Sequence, residues 1–316
     1  MTFFDRLRIA VLGLALALVA QPALAAEKVS VTNYGVNVAT LPWAIALEKG
    51  MFARQGLDID GILGSNGGGT AIRNTMANTN LPFGEVSFPS AVAAIQSGLN
   101  LKIIYGGVNN FGDLAWVTRK DAPFKTIADL KGHKVAFTEP RSATEMVLRT
   151  ILRKAKVDVD AMPSGGIGAG IIALDQSAVD AAPFEEPLLL PDLNKYRVIF
   201  RVVDFAPEDI WQVGVVDADF AKSHPDVVRK LIAVRRDAIA YMKAHPVEAE
   251  AIYHKIWNND DPRIAQILPN LIKGNYWSTG ALDPAGFQAM LNGMQLVGAL
   301  DKPFDLKGAL DGSFLR

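Results

Sequence analysis

Short strand-like segments alternate with helix-like segments along much of this chain, and this alternation is the strongest constraint on its fold. KVSVTNYG at 28–35 alternates apolar and polar residues as a strand does, and LPWAIALEKGMFARQG follows with a proline at its start, as a helix does. LDIDGIL, GEVSF and LKIIYGGV each come after a helix-like segment. This βαβ rhythm predicts an α/β protein whose mostly parallel sheet is covered by helices on both faces.

A second unit with the same rhythm begins near Asp113. LAWVTR, KVAFT, VDAAPF, YRVIFRVV and WQVGVV are strand-like, and SATEMVLRTILRKAKV is helix-like. After Pro225 the pattern is helical to the end, and DVVRKLIAVRRDAIAYMKAH predicts one apolar helix face with the charged residues opposite. The predicted apolar face consists of Val227, Leu231, Val234, Ala238, Tyr241 and Met242.

The N-terminal residues predict export. Arg6 and Arg8 precede an apolar run at 9–20, which is followed by Ala-Leu-Ala at 23–25, and this order is typical of a cleavable secretory signal peptide, here 1–25. The apolar run is shorter than the roughly 20 residues that a membrane-spanning helix needs. The chain has no cysteine, which excludes disulfides, thiol nucleophiles and a lipid-modified cysteine. We therefore expect a freely soluble periplasmic protein without a membrane-inserted segment in its mature form.

Charge argues against polyanionic partners. The formal net charge is −1, and no basic run is long enough to indicate nucleic acid or an anionic membrane surface as a partner.

The glycine-rich stretch GSNGGGTAIRN at 64–74 has the G-x-x-x-x-G spacing of a phosphate-binding loop. Thr70 and Ala71 stand where that loop needs a lysine and a serine or threonine, which argues against a nucleotide site. Small residues at a helix start still expose backbone N–H groups where the helix dipole favours negative charge. A ligand-contacting loop and a flexible turn both fit these residues.

A second candidate for ligand contact is TEPRSATEMVL at 138–148. Ser142, followed three residues later by Glu145, predicts a capping box at the start of a helix. Arg141 directly precedes the cap, where it suits either bidentate contact with an anionic ligand group or a salt link to a neighbouring acid.

No set of residues assembles into a catalytic or metal site. Glu185 and Glu186 are adjacent, and neighbouring positions in one segment usually point apart, so a single acid facing a cleft is favoured over a catalytic pair. The four histidines lack metal-ligand spacing. We expect no catalytic residue, no metal and no cofactor.

Four aromatic residues stand at predicted strand ends or domain crossings: Tyr34, Phe88, Phe111 and Trp211. These positions suit either core packing or the wall of a ligand pocket, which α/β proteins form outside the carboxyl ends of their strands.

Four ordered segments resemble periplasmic solute-binding proteins of ABC importers, of the nitrate/sulfonate/taurine type that also includes binders of thiamine pyrimidine precursors. The segments are LPWAIALEKGMFARQGLDID at 41–60, KTIADLKGHKVAFTEPRSATEMVLRTILRKAKVD at 125–158, ALDQSAVDAAPFEEPLLL at 173–190 and VDADFAKSHPDVVRKLIAVRRDAIAYMKAHPVEAEAI at 216–252. The resemblance spans nearly the whole mature chain.

The resemblance implies a type II periplasmic binding protein fold, in which two α/β lobes are joined by two crossover hinges with a ligand cleft between them. Lobe 1 would comprise 26–111 and 212–316, and lobe 2 would comprise 112–211. The cleft residues that it implies are Asn33, Tyr34, Gly35, Ser65, Asn66, Gly67, Gly68, Ser87, Phe88, Arg141, Ser142, Ala143, Thr144, Gly165, Gly166 and Glu185. Phe111 and Trp211 join them as aromatic wall residues.

The implied function is capture of a small organic solute, anionic or aromatic or both, by a monomeric periplasmic protein. Hinge closure around the solute would present it to the membrane permease of an ABC importer. Two alternatives remain open: an enzyme on the same fold related to thiamine pyrimidine synthesis, against which the absence of cysteine argues, and a sensory ligand-binding subunit.

Overall fold

The computed structural model describes residues 26–34, 37–65, 67–186, 194–207, 209–300 and 302–316. The predicted signal peptide at 1–25 lies outside the described residues, as do Gly35 and Asn66. The strands are β1 Glu27–Thr32, β2 Ile59–Ser65, β3 Phe83–Ser87, β4 Leu101–Val108, β5 Leu114–Arg119, β6 Lys134–Phe137, β7 Asp160–Pro163, β8 Ala182–Glu185, β9 Tyr196–Arg201, β10 Gln212–Asp217 and β11 Trp277–Gly280. The α-helices are α1 Leu41–Glu48, α2 Met51–Arg54, α3 Gly68–Ala77, α4 Phe88–Gln96, α5 Ala143–Ala155, α6 Ile167–Asp175, α7 Ala218–Ser223, α8 Pro225–Ala244, α9 Pro246–Trp257, α10 Ile264–Lys273, α11 Pro284–Leu296 and α12 Leu306–Ala309.

The largest sheet has six strands in the order β11-β4-β10-β3-β1-β2. β1 pairs in parallel with both β2 and β3, whereas β10 runs antiparallel to β3 and β4, and β11 runs antiparallel to β4. The prediction of a mostly parallel sheet is therefore wrong for this sheet. The reason is that β10 enters between β3 and β4 from a distant part of the chain, so its direction is not set by a local βαβ crossover.

The chain between β4 and β10 forms two smaller sheets. β5 lies between β8 and β9 and is antiparallel to both, and β6 pairs in parallel with β7. A bridge between Val135 and Ala181 joins the two small sheets. Strands of the large sheet thus come from 27–108 and 212–280, and those of the small sheets from 114–201. The division into two lobes with the stated boundaries stays a prediction.

The C-terminal part is helical except for β11, which the sequence pattern did not predict. β11 is only four residues long and is bounded by turns, so it carries no periodicity of its own. Pairing with the edge of β4 extends the large sheet. Helix α8 packs on α1 and on β11, while α3 packs on β1 and β3.

The buried face of α8 departs from its prediction most clearly at Arg235. Four predicted positions are buried: Leu231, Val234, Ala238 and Met242. Val227 and Tyr241 are half-buried, and Arg235, expected on the charged face, is only 2% exposed. A buried guanidinium is costly unless it is paired, so a partner must lie in the core.

That partner is Glu85 on β3, whose side chain is fully buried. Arg235 Nε donates to Glu85 Oε2 at 2.5 Å, and Nη2 donates to Oε1 at 3.2 Å. Trp43 Nε1 and the Tyr105 hydroxyl each donate to Glu85 Oε2 at 3.0 Å. The carboxylate therefore has hydrogen-bond partners on α1, β4 and α8.

The remaining N–H groups of Arg235 bind backbone. Nη1 donates to the Ser278 carbonyl at 2.6 Å, and Nη2 also donates to the Gly107 carbonyl at 2.5 Å. Arg235 thus connects the central helix of the C-terminal part to β11 and to the end of β4. A bidentate pair with its other donors satisfied is the geometry in which a buried ion pair offsets its desolvation.

We expect Arg235→Met to lower the free energy of unfolding by about 3–5 kcal/mol, because it leaves Glu85 as an uncompensated buried charge. Arg229→Met is the matched control on the same helix, because Arg229 pairs with Asp226 at the exposed surface and should contribute about 0–1 kcal/mol. Urea unfolding followed by circular dichroism measures both. Equal losses in the two variants would contradict the structural role of the buried pair.

Candidate functional site

The carboxyl ends of β1 and β2 lie side by side. The Asn33 N–H donates to the Ser65 carbonyl at 2.7 Å, and Asn33 has the left-handed φ of 60°. Tyr34 is half-buried, and its ring centroid lies 6.0 Å from that of Trp257 on α9. Burial, with a smaller contribution from Glu48, raises the pKa of Tyr34. Asn33 and Ser65 therefore lie side by side, with Tyr34 next to Asn33 in the chain, and their contact with a ligand stays a prediction.

Helix α3 begins against the end of β3. The Ser87 and Ser90 hydroxyls are 2.7 Å apart, and a Cβ at Gly68 would lie 2.1 Å from Ser90 Oγ and 2.6 Å from Ser87 Oγ. Only glycine allows this close approach. The residue before the helix, Gly67, offers no side-chain cap. The start of α3 thus lies against a pair of serine hydroxyls.

A hydroxyl cluster marks the start of α5 in the second unit. Thr138 Oγ1 lies 2.7 Å from Thr144 Oγ1 and 3.1 Å from Ser142 Oγ. Ser142 Oγ also accepts from the Glu145 N–H at 3.3 Å, which confirms Ser142 as the N-cap. The Gly165 N–H donates to the Thr138 carbonyl at 2.7 Å. The ends of β6 and β7 therefore meet.

The second half of the predicted capping box is wrong. The Glu145 carboxylate accepts from the Arg141 N–H at 2.7 Å and from Arg149 Nε at 2.8 Å instead of from the Ser142 N–H. Glu145 therefore pairs with Arg149 and not with the Arg141 side chain. The Arg141 side chain forms no ion pair among the residues that the structure describes, and Arg141 itself is exposed with a φ of 63°.

The remaining predicted residues of the second unit flank this helix start. Ala143 is the first residue of α5 and is half-buried. Gly165 and Gly166 precede α6 with φ values of 88° and 140°, a conformation that favours glycine. Neither has a neighbouring atom within 4 Å of a Cβ placed on it.

The predicted aromatic residues fall into two places. Phe111 and Trp211 stack with centroids 5.2 Å apart, and Trp211 also meets Tyr276 edge-on at 6.3 Å. Phe88 is fully buried against Phe287 of α11, at 5.0 Å. Phe111 and Trp211 therefore lie together where the chain passes between the large and small sheets, whereas Phe88 packs into the core.

Two buried acids lie at the same place, where the chain passes between the large and the small sheets. Asp113 directly precedes β5, whose first residue pairs with Glu185, and the Glu186 N–H donates to the Asp113 carbonyl at 2.7 Å. Tyr276 donates its hydroxyl hydrogen to Asp113 Oδ2 at 2.9 Å. Asp113 is fully buried and Glu185 is 6% exposed. The acids belong to the small-sheet segment and Tyr276 to the large-sheet segment.

Both carboxyl groups hold their protons more tightly than usual. Burial raises the pKa of Asp113 to about 7, against the opposing effect of the Tyr276 hydrogen bond. Burial, followed by repulsion from Asp113, raises the pKa of Glu185 to about 8, and the nearby Asn37 side chain offsets part of that rise. At neutral pH the two groups therefore cannot both be readily ionised.

Gln212, at the start of β10, directly follows Trp211, whose ring meets that of Tyr276. Trp277, Val108 and Gln212 are register partners across three strands, and directly opposed residues project to the same face. Trp277 Nε1 donates to the Ala39 carbonyl at 3.1 Å, so the turn that carries Asn37 covers this face. Gln212 and Asn37 are both fully buried.

We call Asn37, Asp113, Glu185, Gln212 and Tyr276 the polar cluster. Among the described residues, five of its buried side-chain atoms have no hydrogen-bond partner: Asn37 Nδ2, Asp113 Oδ1, Glu185 Oε2, Gln212 Oε1 and Gln212 Nε2. Buried polar groups are normally hydrogen-bonded, so such a concentration makes the cluster a candidate binding site. A cavity of about 340 Å³, lined by Tyr276 and Glu186 among others, adjoins the cluster.

Sequence reasoning found only Glu185 of these five residues. Asp113 before a strand and Gln212 after a tryptophan carry no motif, and their proximity arises only from the tertiary fold. Among the described residues no group of three or more acids and histidines is placed to hold a metal ion. The described helices also include none that is long and apolar enough to cross a membrane.

Comparison with known proteins gives a consistent picture. The family model described as NMT1/THI5 like matches residues 37–249. A putative binding protein of Brucella abortus is 27% identical over 223 residues, which cover 69% of this chain and 67% of that protein. A putative aliphatic sulfonates-binding protein of Bacillus subtilis is 22% identical over 298 residues, which cover 89% of this chain and 86% of that protein.

Solved structures share the fold at lower sequence identity. The periplasmic aliphatic sulphonate binding protein SsuA from Escherichia coli superposes with a TM-score of 0.71 at 16% identity, covering 92% of both chains. The periplasmic nitrate-binding protein NrtA from Synechocystis superposes with a TM-score of 0.70 at 14% identity, covering 93% of this chain and 88% of that one. These likenesses confirm the predicted periplasmic binding protein fold.

The raised pKa values of Asp113 and Glu185 predict a pH-dependent stability. Between about pH 4 and pH 8 the folded protein keeps protons that the unfolded chain has released, so these groups make stability fall as pH rises through that window. The double variant Asp113→Asn/Glu185→Gln should flatten this decline in urea unfolding measured at several pH values. Asp226→Asn, which removes an exposed acid, is the control, and an unchanged slope in the double variant would contradict the assignment.

Proposed function

The chain belongs to the NMT1/THI5-like family, and we propose that it is the solute-binding protein of an ABC importer, which captures a small organic solute in the periplasm. Its relatives and structural neighbours bear the names of binding proteins, which supports a solute-binding role. The permease of the importer is the proposed partner, and the mature protein is proposed to act as a monomer.

The observation that carries the proposal is the polar cluster. Asn37, Gln212 and Tyr276 come from the proposed lobe 1, and Asp113 and Glu185 come from the proposed lobe 2. Their unpartnered atoms are closed off from solvent, so a solute reaches them only if the two parts move apart. Closure over the solute would then supply the missing hydrogen bonds and give the shape that a permease recognises.

The connections near Phe111 and Trp211 are the proposed hinges. The chain crosses from the large sheet to the small ones between β4 and β5, and it returns between β9 and β10. The stacked rings of Phe111 and Trp211 bring these two crossings together. A rotation about these two connections would open the cluster without breaking any of the three sheets.

The predicted cleft residues supply the rest of the proposed site. Ser65, Ser87 and the uncapped start of α3 would contact the solute from lobe 1, and the hydroxyl cluster at Ser142 and Thr144 would contact it from lobe 2. Arg141 at the exposed rim is available for an anionic group, such as the sulfonate in the name of the Bacillus subtilis relative. Its contact with solute is part of the proposal.

Enzymatic and sensory functions are the competing proposals. Asp113 and Glu185 have the raised pKa values that acid–base catalysts share, which is the specific observation in favour of an enzyme. Their burial without a nucleophile or a metal site among the described residues favours binding.

We expect a saturating solute to raise the melting temperature of the purified protein and to lower its radius of gyration, since the solute binds only the native state and closes it. A concentration 100 times the dissociation constant should add about 2.7 kcal/mol of stability. Thermal-shift screening, small-angle scattering and mass spectrometry of the recovered solute make the test. Chemical conversion of the solute would favour the enzyme, and a partner other than a permease recovered by crosslinking would favour the sensory subunit.

We expect Gly68→Ala to weaken solute binding severalfold, because the added methyl group displaces Ser87 and Ser90 from the start of α3. Gly69→Ala is the matched control one residue later, where the nearest atom to an added Cβ is the end of the flexible Arg73 side chain at 3.8 Å. Isothermal titration calorimetry with the solute found by screening compares them. Equal affinity in both variants would show that the start of α3 is not part of the site.

A further inference from the structure

In the described part of the chain, no cation forms an ion pair with the two buried acids of the polar cluster, Asp113 and Glu185. The adjacent Glu186, in contrast, pairs with Arg201. Removing one side of a buried charge pair is strongly unfavourable, so carboxyl groups in such a place are normally matched by a positive group. Glu85 has such a partner in Arg235, whereas Asp113 and Glu185 have none among the described residues.

We propose that the solute end held by the polar cluster is a cationic hydrogen-bond donor, such as an organic ammonium or amidinium group. The proposal rests on the solute-binding function above and names the chemical class of the solute. The solute itself would be the missing partner of Asp113 and Glu185, so that the charge pair is completed only when the cleft is occupied.

The unpartnered atoms fit this class. Asp113 Oδ1 and Glu185 Oε2 are free acceptors on two acids that interact with each other, and an ammonium group has three N–H donors, enough for both. An amidinium group presents its donors in a plane, which suits bidentate contact with a carboxylate. Gln212 Nε2 is a free donor that can meet an acceptor atom next to the cationic group, while the Asn37 amide lies beside Glu185 and partly lowers its pKa.

A solute with its anionic group at the same place would be rejected. A sulfonate offers only acceptors, so the free oxygen atoms of Asp113 and Glu185 would stay unsatisfied and its charge would repel any ionised carboxylate. The uncapped start of α3 and Arg141 lie at other edges, so an anionic group elsewhere on the solute is compatible with the proposal.

Binding of a cation would also release a proton. In the empty protein, burial and mutual repulsion keep a proton on the Asp113 and Glu185 pair near neutral pH. The other ionisable groups that face the pair are Tyr276, whose own pKa is raised well above its usual value, and Glu186, which is held by Arg201. A bound cation stabilises the doubly ionised pair, so the proton passes to solvent.

The test is a binding screen with three sets of probes built on the same carbon skeletons, exemplified by benzamidine, benzamide and benzenesulfonate and by their alkyl counterparts. Thermal shift and calorimetry score each set. The expected result is binding in the ammonium and amidinium set, with little or none among the neutral amides and the sulfonates. Sulfonates or neutral amides that bind more tightly than the cations would overturn the inference and leave the proposed function intact. No binding in any set would count against the proposed function itself.

Variants locate the cation at the cluster. Glu185→Gln and Asp113→Asn should each weaken binding of the best cationic probe about tenfold or more, because each removes a charge-assisted hydrogen bond. Asp226→Asn, which removes an exposed acid outside the cluster, is the control and should change affinity less than about threefold. Both cluster variants lose a destabilising buried acid, so their melting temperatures at neutral pH should not fall.

Calorimetry in buffers of different ionisation enthalpy provides a readout that a structural role would not change. The wild-type protein should release up to about one proton per bound cation near neutral pH, and Glu185→Gln should release clearly less. Undiminished affinity in both cluster variants, or cation binding without proton release, would place the cationic group elsewhere and overturn the inference.

Discussion

The buried pair of Glu85 and Arg235 holds together the elements on which the proposed site depends. Its hydrogen bonds reach β3 through Glu85, the end of β4 through the Gly107 carbonyl, and β11 through the Ser278 carbonyl. Each of these strands adjoins a part of the site: β3 ends at Ser87, β4 leads into the crossing toward Asp113, and β11 follows Tyr276. An ion pair removed from water thus fixes the positions of groups in the proposed site.

The two clusters of buried charge contrast in their completeness. Around Glu85 every acceptor is met by Arg235, Trp43 or Tyr105, so the low dielectric of the core strengthens the network. Around Asp113 and Glu185 the same low dielectric surrounds carboxyl groups that each have an unpartnered oxygen atom, and it raises the pKa values of both groups. The protein therefore bears an energetic cost at one place and not at the other, which is expected where strain or unsatisfied bonding serves a function.

Local pattern predicted most of the fold. Segments such as β4 and β5 were found because a strand carries its own apolar signature, and Ser142 was found as a cap because capping is a local interaction. The antiparallel entry of β10 and the burial of Arg235 depend on contacts between distant segments, so no local sequence pattern indicates them. For the same reason the sequence pointed to glycines and hydroxyls at strand ends and missed Asn37, Asp113, Gln212 and Tyr276 as a group.

The central position of β10 has a consequence for when the chain can fold. β3 and β4 cannot join into one sheet until β10 has been made, and Glu85 stays without its cation until Arg235 follows, 150 residues later. Contacts so distant in sequence make folding slow, because the long loop must close before they contribute. A chain that cannot complete its large sheet until its last third has been synthesised would suit any export route that passes unfolded polypeptide through a membrane.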